Sequence, residues 1–523
     1  MRKKQLPLST YLLAGFPLMY INSCEEQRVI NEVQKAASEA SNSASTNFQF
    51  SFLVWRCTTG FVRLSATGDD DSIGNTTALN TAIEHLMTIQ QDQPTIAMIM
   101  NPRKFMDNHV VTQAIKDAAS HLRLVGSHLI LVGPEVTIPP ELEHDITFID
   151  FPLPDKERLQ GLLQEIVKYN LKKPVQAKLI ETAAEAALGM TEIEAENAAA
   201  LSLTETGTLD IALLQSEKEQ AIRKSEVLEF VHTDETIDDV GDFDLLRDWI
   251  SRRRTAFDAK AKKYGLPVPK GILVAGIPGT GKSLLSKAAA NFLGIPLIKF
   301  NVGSIFKKYV GDSEASVRSA LALVETISPV VLWIDEMDKS FSGITGQSSD
   351  SGVTKRVFQT ILTWMQETDC RAFRIATVNN MEHLPPELYR AGRFDALFAS
   401  DLPEMDGRKE IYEIHIRKRN RDPKKYNITK IAAASIGFTG AEIEYSVCEA
   451  MFTAYADGGR EFTTDDILRA IKEIIPQSVA DKDKIDRIRK FCEQKARPVS
   501  SRTAINKTAT PKLKRVARTK AKK

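Results

Sequence analysis

Residues 271–293 read GILVAGIPGTGKSLLSKAAANFL. An apolar run ends in glycine, a glycine-rich turn follows, and a helical stretch rich in leucine and alanine begins at once. The turn Gly276–Ser283, GIPGTGKS, fits the pattern G-x4-G-K-[ST], with the strand before it and the helix behind it that the pattern requires. Glycines let successive backbone N–H groups turn inward around phosphate oxygens, and the helix N-terminus adds positive potential at the same place. Lys282 would reach the β and γ phosphates and Ser283 would ligate Mg2+. Nucleotide contacts are therefore expected from Gly276, Ile277, Pro278, Gly279, Thr280, Gly281, Lys282, Ser283 and Leu284.

Outward from this turn, further apolar runs read as strands: PLIKF, VVLWID and FRIATV. The run VVLWIDEMD ends in Asp335 and Glu336. A strand end of this kind lies at the carboxyl edge of an open α/β sheet, where such sheets bind ligands. Alone it would read as a solvated acidic end. Downstream of a phosphate-binding turn, Asp335 reads as a holder of the Mg2+ shell and Glu336 as the base that orients and activates water.

The order of elements occurs twice. Residues 384–395 read LPPELYRAGRFD and residues 138–148 read IPPELEHDITF. After each comes a strand, an acidic turn and a helix, KERLQGLLQEIV in one copy and RKEIYEIHIRK in the other. Further on, LGMTEIEAE at 188–196 answers IGFTGAEIE at 436–444. Matched landmarks in the same order indicate duplication. The earlier copy has lost its chemistry. PLMYINSCEEQRV carries no glycine loop and no lysine, TIAMIMNPRKF ends in Asn101 instead of Asp-Glu, and the PPEL turn has no arginine. Residues 1–203 are expected to be a degenerate sister module, α/β over 1–154 and helical over 155–203, followed by a connecting helix and linker over 204–235. Phe52, Trp55 and Phe61 are candidates for a recognition surface, with core packing the plainer reading.

At 523 residues the chain is long enough for several folded units, and its composition, 43% hydrophobic and 26% charged with a net charge of +1, is that of a globular protein. Ser500–Lys523 holds nine Lys/Arg and no acid, leaving 60 basic against 68 acidic residues, a net of −8, in the body. Five cysteines without a CxxC pair argue against a disulfide framework or a zinc site and for a reducing compartment. Pro7 and Pro17 interrupt the apolar N-terminus, and no run reaches the roughly 18 apolar residues of a membrane span.

Residues 236–475 resemble an AAA-type ATPase module. More widely, residues 1–500 are similar to an AAA family known from a hypothetical reading frame of algal chloroplast genomes and from cyanobacteria. The resemblance is carried by LPVPKGILVAGIPGTGKSL, KYVGDSE, VLWIDEMDKSF, SDSGVTKRVFQTILTWMQE, LPPELYRAGRFD and ARPVSS. It implies a P-loop AAA+ fold: a large α/β subdomain over 236–405, a helical lid over 406–475, a C-terminal helical segment over 476–499 and a disordered basic tail over 500–523. It also implies an Mg2+-dependent ATP hydrolase, acting as a homo-oligomeric ring of six subunits that remodels a protein target, in the cytoplasm or, if plastid-encoded, the stroma. By the same resemblance Asn379 helps position the attacking water, and Arg390 and Arg393 are paired arginine fingers offered to a neighbouring subunit. Asp239 and Gly241 border the adenine, and His415, Gly440 and Ala441 reach the nucleotide from the lid. Tyr309 and Val310 would grip polypeptide in a central channel. Two rivals stand beside this reading. One is an ATP-gated scaffold that recruits partners through its N-terminal module; the other is an ATPase held on nucleic acid by the basic tail in a salt-dependent way. DDVGDFD departs from the family's two successive glycines, so Asp242 is expected to crowd the adenine turn, and Val378 replaces a small or hydroxyl residue.

Overall fold

The computed structural model describes residues 6–502, apart from 44–48, 66–69, 135–137, 171–174, 224–226, 258, 306–311, 342–350 and 391. Tyr309, Val310 and the tail beyond Arg502 therefore lie outside the described residues. The chain divides into two compact units, Met1–Lys218 and Glu219–Lys523.

The first unit is built on strands β1 (Leu18–Asn22), β2 (Ser51–Arg56), β3 (Gly60–Leu64), β4 (Asp71–Ser72), β5 (Thr95–Met100), β6 (His128–Gly133) and β7 (Thr147–Asp150), ordered β4-β3-β2-β5-β6-β1-β7. Strands β7, β1, β6, β5 and β2 pair in parallel, while β3 and β4 extend the β2 edge antiparallel. Because successive side chains point to opposite faces, Leu18 and Tyr20 join one core with the helices Leu79–Leu86 and His109–Leu124. Met19 and Ile21 join another, under the helix Glu26–Ser43. A strand buried on both faces has no polar side, so β5 and β6 read as unbroken apolar runs. The helices Lys156–Asn170, Ala177–Ala187 and Glu192–Thr206 close on a core of their own.

The second unit repeats the plan with β8 (Leu228–Phe230), β9 (Gly271–Gly276), β10 (Leu297–Phe300), β11 (Val330–Ile334), β12 (Ala372–Val378), β13 (Ala396–Ser400) and β14 (Arg497–Pro498), ordered β14-β13-β9-β12-β11-β10-β8. Setting aside β14, which joins the β13 edge in parallel, the five remaining parallel strands of the second unit and the five of the first, numbered in chain order, give the same arrangement, 5-1-4-3-2. The duplication inferred from two loop motifs thus extends to whole-sheet topology. The helices Met405–Lys418, Ile428–Ala434, Gly440–Ala456 and Thr464–Glu473 surround a separate core and form the lid. Among the described residues no helix is long and apolar enough to cross a membrane.

Three expectations need correction. The span 204–235 is not simply a connector. It contains the division between the units and the edge strand β8, which pairs antiparallel with β10 and buries Val227 and Leu228. Residues 476–499 are not helical throughout, because the helix Lys482–Lys495 is followed by β14, parallel to β13. Nor does the tail begin at Ser500, which is fully buried. Phe61 and Trp55 are fully buried too, Trp55 donating to the Thr76 carbonyl at 2.7 Å, and Phe52 is half-buried, so these aromatics are core and no recognition surface.

Residues 497–502 act as a strap. The Val499 carbonyl accepts from the N–H groups of Leu245 and Leu246 at 3.0 and 3.1 Å, and the Val499 N–H donates to the Ala399 carbonyl at 3.1 Å. Ser500 Oγ donates to Asp242 Oδ1 at 2.6 Å, the Ser501 N–H donates to Asp244 Oδ1 at 2.9 Å, and Arg502 pairs with Glu410 of the lid at 2.7 Å. Asp242 itself is buried in the left-handed region, φ 62°, with its carboxylate against Gly407. The residue expected to crowd the adenine turn is instead held by the C-terminal strap. Burial, opposed by the Ser500 hydroxyl, raises its pKa from 3.8 to about 6.

A carboxyl whose pKa rises on folding stabilises the fold while protonated and loses that contribution as pH climbs through the folded value. A shift of this size corresponds to about 3 kcal/mol. Asp242→Asn is therefore expected to raise the Tm at pH 8 relative to the parent chain, with the gap narrowing at pH 5. Thermal unfolding of both chains at the two pH values checks it.

Candidate functional site

The glycine loop owes its path to three residues with positive φ: Gly276 (149°), Gly279 (78°) and Gly281 (90°). At Gly276 a β-carbon would lie 2.0 Å from the Ser400 carbonyl oxygen of β13, so only glycine lets the strand turn there. Thr280 is buried. Its hydroxyl donates to the Ile277 carbonyl at 2.8 Å and accepts from Ser400 Oγ at 2.8 Å, fastening the loop to the sheet. Lys282 opens the helix Lys282–Leu293 and is also buried; its Nζ donates to the carbonyls of Gly276 and Ile277 at 2.8 and 2.7 Å. It forms no ion pair among the described residues. Desolvation pushes its pKa down to about 8, against the pull of Asp338 and Asp335. A buried ammonium held only by carbonyl dipoles, with one N–H of three left over, fits an anionic ligand oxygen.

The acids stand at the carboxyl edge of β11. Asp335 Oδ1 accepts from Ser283 Oγ at 3.2 Å and from Thr377 Oγ1 at 2.6 Å. Glu336 has φ 47°, a conformation uncommon outside glycine. Its N–H donates to Thr377 Oγ1 at 2.9 Å, and its carboxylate accepts from Lys339 Nζ at 2.7 Å and from Asn379 Nδ2 at 3.3 Å. Asp338, buried beneath, accepts the backbone N–H groups of Asn379 and Asn380 at 3.2 and 3.0 Å. Ser283 and Asp335 offer a hydroxyl and a carboxylate, hard oxygen donors that suit Mg2+ with few protein ligands.

Opposite the loop, Asp239 accepts from the Thr236 N–H and hydroxyl at 2.8 and 2.7 Å. Burial works to raise its pKa, but those bonds and Lys418 hold it below the usual carboxylate range. At Gly241 a β-carbon would approach Ile411 Cγ1 to 2.9 Å, so the lid helix Met405–Lys418 can pack there only against glycine. His415 Nδ1 is buried without a hydrogen bond; Glu444 Oε1 is 3.5 Å away but not aligned for one. Burial lowers the His415 pKa and keeps the ring neutral near pH 7. The Ala441 N–H donates to the Gly279 carbonyl at 2.9 Å, and Gly440 lies against that same oxygen, so the lid touches the loop backbone directly.

These groups line one cleft of about 420 Å³. It brings together Asp239, Gly241, the loop from Pro278 to Leu284, Asp335, Glu336, Asn379, His415, Gly440 and Ala441. Gly276 and Ile277 lie beneath it and supply carbonyls to Lys282. Arg390 and Arg393 do not line it. Sequence reasoning missed Thr377 and Asp338. The signal for Thr377 was its place on β12 two residues before Asn379, which follows the strand in the same alternation.

The family described as "ATPase family associated with various cellular activities (AAA)" matches residues 272–402. The N-terminal and second domains of SpoVK-like AAA ATPases match residues 3–151 and 157–225. An uncharacterised AAA domain-containing protein, ycf46, of Trieres chinensis is 36% identical over 469 residues, covering 89% of this chain and 92% of its own. Its counterpart in Guillardia theta is 35% identical over 482 residues, covering 91% and 92%. A proteasome-activating nucleotidase of Sulfurisphaera tokodaii is 30% identical over 290 residues, covering 52% of this chain and 71% of that one. The chain belongs to the AAA ATPase family.

Its two AAA-type sheets differ where the cleft lies. In the N-terminal module, Glu25 precedes and Glu26 opens the helix that follows β1. Buried Glu25 accepts from Arg28 at 2.6 Å and from the Glu192 N–H at 2.7 Å. Glu26 accepts from Asn101 at 2.7 Å and from Arg56 at 3.0 Å. Asn101 has φ 53°, matching Glu336, and the capping box Thr191–Glu194 matches Thr439–Glu442. The lid contact made in the AAA domain by the Ala441 N–H to a loop carbonyl is made here by the Glu192 N–H to a carboxylate. Two glutamates at the place of a phosphate cradle repel a phosphate and are already paired. A non-hydrolysable ATP analogue is accordingly expected to saturate at one molecule per chain. Calorimetric titration checks this, and Lys282→Ala should abolish the uptake.

Proposed function

We propose that the protein is an Mg2+-dependent ATP hydrolase that works as a homo-oligomeric ring and couples turnover to remodelling of a protein target. The observation carrying this reading is the buried Lys282, facing Ser283, Asp335, Glu336 and Asn379 in a single cleft. Lys282 binds the β and γ phosphates, His415 and the Asp239–Gly241 turn hold the base, and Gly440 and Ala441 close the lid over the loop. Ser283 and Asp335 hold Mg2+, which supplies charge neutralisation at the phosphates. Glu336 accepts the proton of the attacking water while Asn379 orients it. In a concave, partly desolvated site such fixed charges act more strongly than in water.

The site is incomplete in one chain. Transition-state charge on the γ-phosphate needs a further cation, and Arg390 and Arg393 suit it because a guanidinium keeps its charge and forks onto oxygens. Arg390 is exposed and makes no ion pair or side-chain hydrogen bond among the described residues. Arg393 donates to the Glu387 carbonyl. Neither lines its own cleft, which supports their use by a neighbour. Relatives from Sulfurisphaera tokodaii and Thermococcus kodakarensis are named proteasome-activating nucleotidases, which supports nucleotide turnover directed at a protein assembly. Tyr309 and Val310 would then be the substrate grip.

Mixing separates a shared pocket from a private one. Arg390→Ala/Arg393→Ala chains are expected to bind ATP normally and to hydrolyse it roughly 10³-fold more slowly, the scale of a finger supplied in trans. Glu336→Gln chains should also be inactive. Mixed together, the two should regain activity, since one keeps a working pocket and the other a working finger. No recovery, with parental activity independent of protein concentration, would overturn the ring.

A further inference from the structure

We propose that Thr377 is a positioning residue that sets both active-site carboxylates, a role that rests on the function proposed above. In the parallel pairing of β11 and β12, Ile334 is partnered with Ala376, so the next step along both strands sets Asp335 beside Thr377. Ala376 and Val378 pack into one core of the sheet and Phe373 and Ile375 into the other. By alternation Thr377 shares the face of Phe373, Ile375 and Asn379, the face covered by the helix that Lys282 opens. The residue is 2% exposed, so its hydroxyl has no recourse to bulk water.

That hydroxyl makes two bonds that constrain each other. It donates to Asp335 Oδ1 at 2.6 Å and accepts the Glu336 N–H at 2.9 Å. A threonine has a single O–H, and the incoming N–H occupies one lone pair, which directs the proton onto the aspartate. Oδ1, also taken by Ser283 Oγ at 3.2 Å, is thereby committed to hydroxyl donors. The other carboxylate oxygen has no partner among the described residues and is the one left to face a cation. The same hydroxyl anchors the backbone of Glu336 where φ is 47°, a strained conformation that persists only where its surroundings hold it. A single side chain therefore fixes the metal carboxylate's orientation and the base's backbone. Valine would keep the shape of the strand end and lose both bonds; serine would keep both bonds and lose only a methyl.

The test compares Thr377→Val and Thr377→Ser with the full-length parent, using a fluorescent non-hydrolysable ATP analogue titrated with Mg2+, steady-state hydrolysis and thermal unfolding. Loss of an outer-shell partner typically lowers metal affinity or activity about 10–100-fold. Thr377→Val is expected to raise the half-saturating Mg2+ and to lower kcat within that range. Analogue affinity without Mg2+ should stay near the parental value. The Tm should fall by only a few degrees for the two lost bonds, leaving the chain folded at the assay temperature, and Thr377→Ser should behave as the parent. An unchanged Mg2+ dependence and kcat in Thr377→Val would overturn the role. So would a Thr377→Ser chain as impaired as Thr377→Val, since the methyl and not the hydroxyl would then matter. Glu336→Gln keeps the two failures apart: if it hydrolyses ATP like the parent, the proposed function falls, while the Mg2+ titration of Thr377→Val still decides the role of Thr377.

Discussion

A buried ammonium group with no carboxylate in contact is costly in any fold, and the second unit is arranged around one. Lys282 draws its support from two carbonyl oxygens of the loop that precedes it. Those carbonyls can converge only because Gly276 adopts a φ of 149° with its α-carbon pressed against Ser400. Ser400 in turn holds Thr280, so the end of β13 sets the curvature of a loop that β9 and the next helix merely flank. Asp338 and Asp335 pull the lysine toward its charged form without touching it. The loop is thus held in shape with its positive end still open to an anion.

The N-terminal module shows the alternative solution on the same topology. Its core strands have the same 5-1-4-3-2 order and the third helix of its helical part starts from the same kind of capping box, yet the charge at the loop position is reversed. Glu25 and Glu26 are each paired with an arginine and with one further donor inside the module. A carboxylate supplied by the chain does for this lid what a loop carbonyl does for the other. Such an internally paired cluster has no call for a ligand, and breaking one partner would leave a buried charge unmatched. Where the second unit keeps an open cleft, the first holds a polar cluster satisfied from within.

What was legible in the sequence follows physical range. The glycine loop, the acidic strand end and the buried parallel strands are local patterns, and all were readable; so was the repeat, because duplicated turns keep their composition. Contacts between distant segments were not. β8 is three residues long and β14 two, the latter containing Arg497 and Pro498, so neither shows an alternation from which a strand could be inferred. The sequence around Ser500 reads as the start of a tail, because nothing near it reveals that Asp242 is its partner. Thr377 looked like an ordinary strand residue, since its importance comes from the register of β12 against β11. Even the departure at Asp242 was visible only as a missing glycine; its carboxylate turns toward the strap, not into the cleft.

The turn bearing Arg390 and Arg393 illustrates how far such nonlocal contacts can organise function. Asp395 Oδ2 accepts the backbone N–H groups of Lys270 and Gly271 at 2.8 and 3.1 Å, and Lys270 Nζ donates to the Gly392 carbonyl at 2.6 Å. From the other side the fully buried Arg374 of β12 donates to the carbonyls of Met365 and Arg393, with its guanidinium over the Trp364 ring. Burial lowers the Arg374 pKa, the signature of a charge kept inside at a cost. A surface turn needing only solubility would not require a buried arginine beneath it. Its mountings are the first residue of β9, which leads into the glycine loop, and the strand that carries Thr377 and leads into Asn379. The turn that carries these two arginines, neither of which lines the cleft, is therefore fixed to the same two strands that shape it. In a ring of such chains, the geometry each neighbour meets would be set by the strands around Lys282.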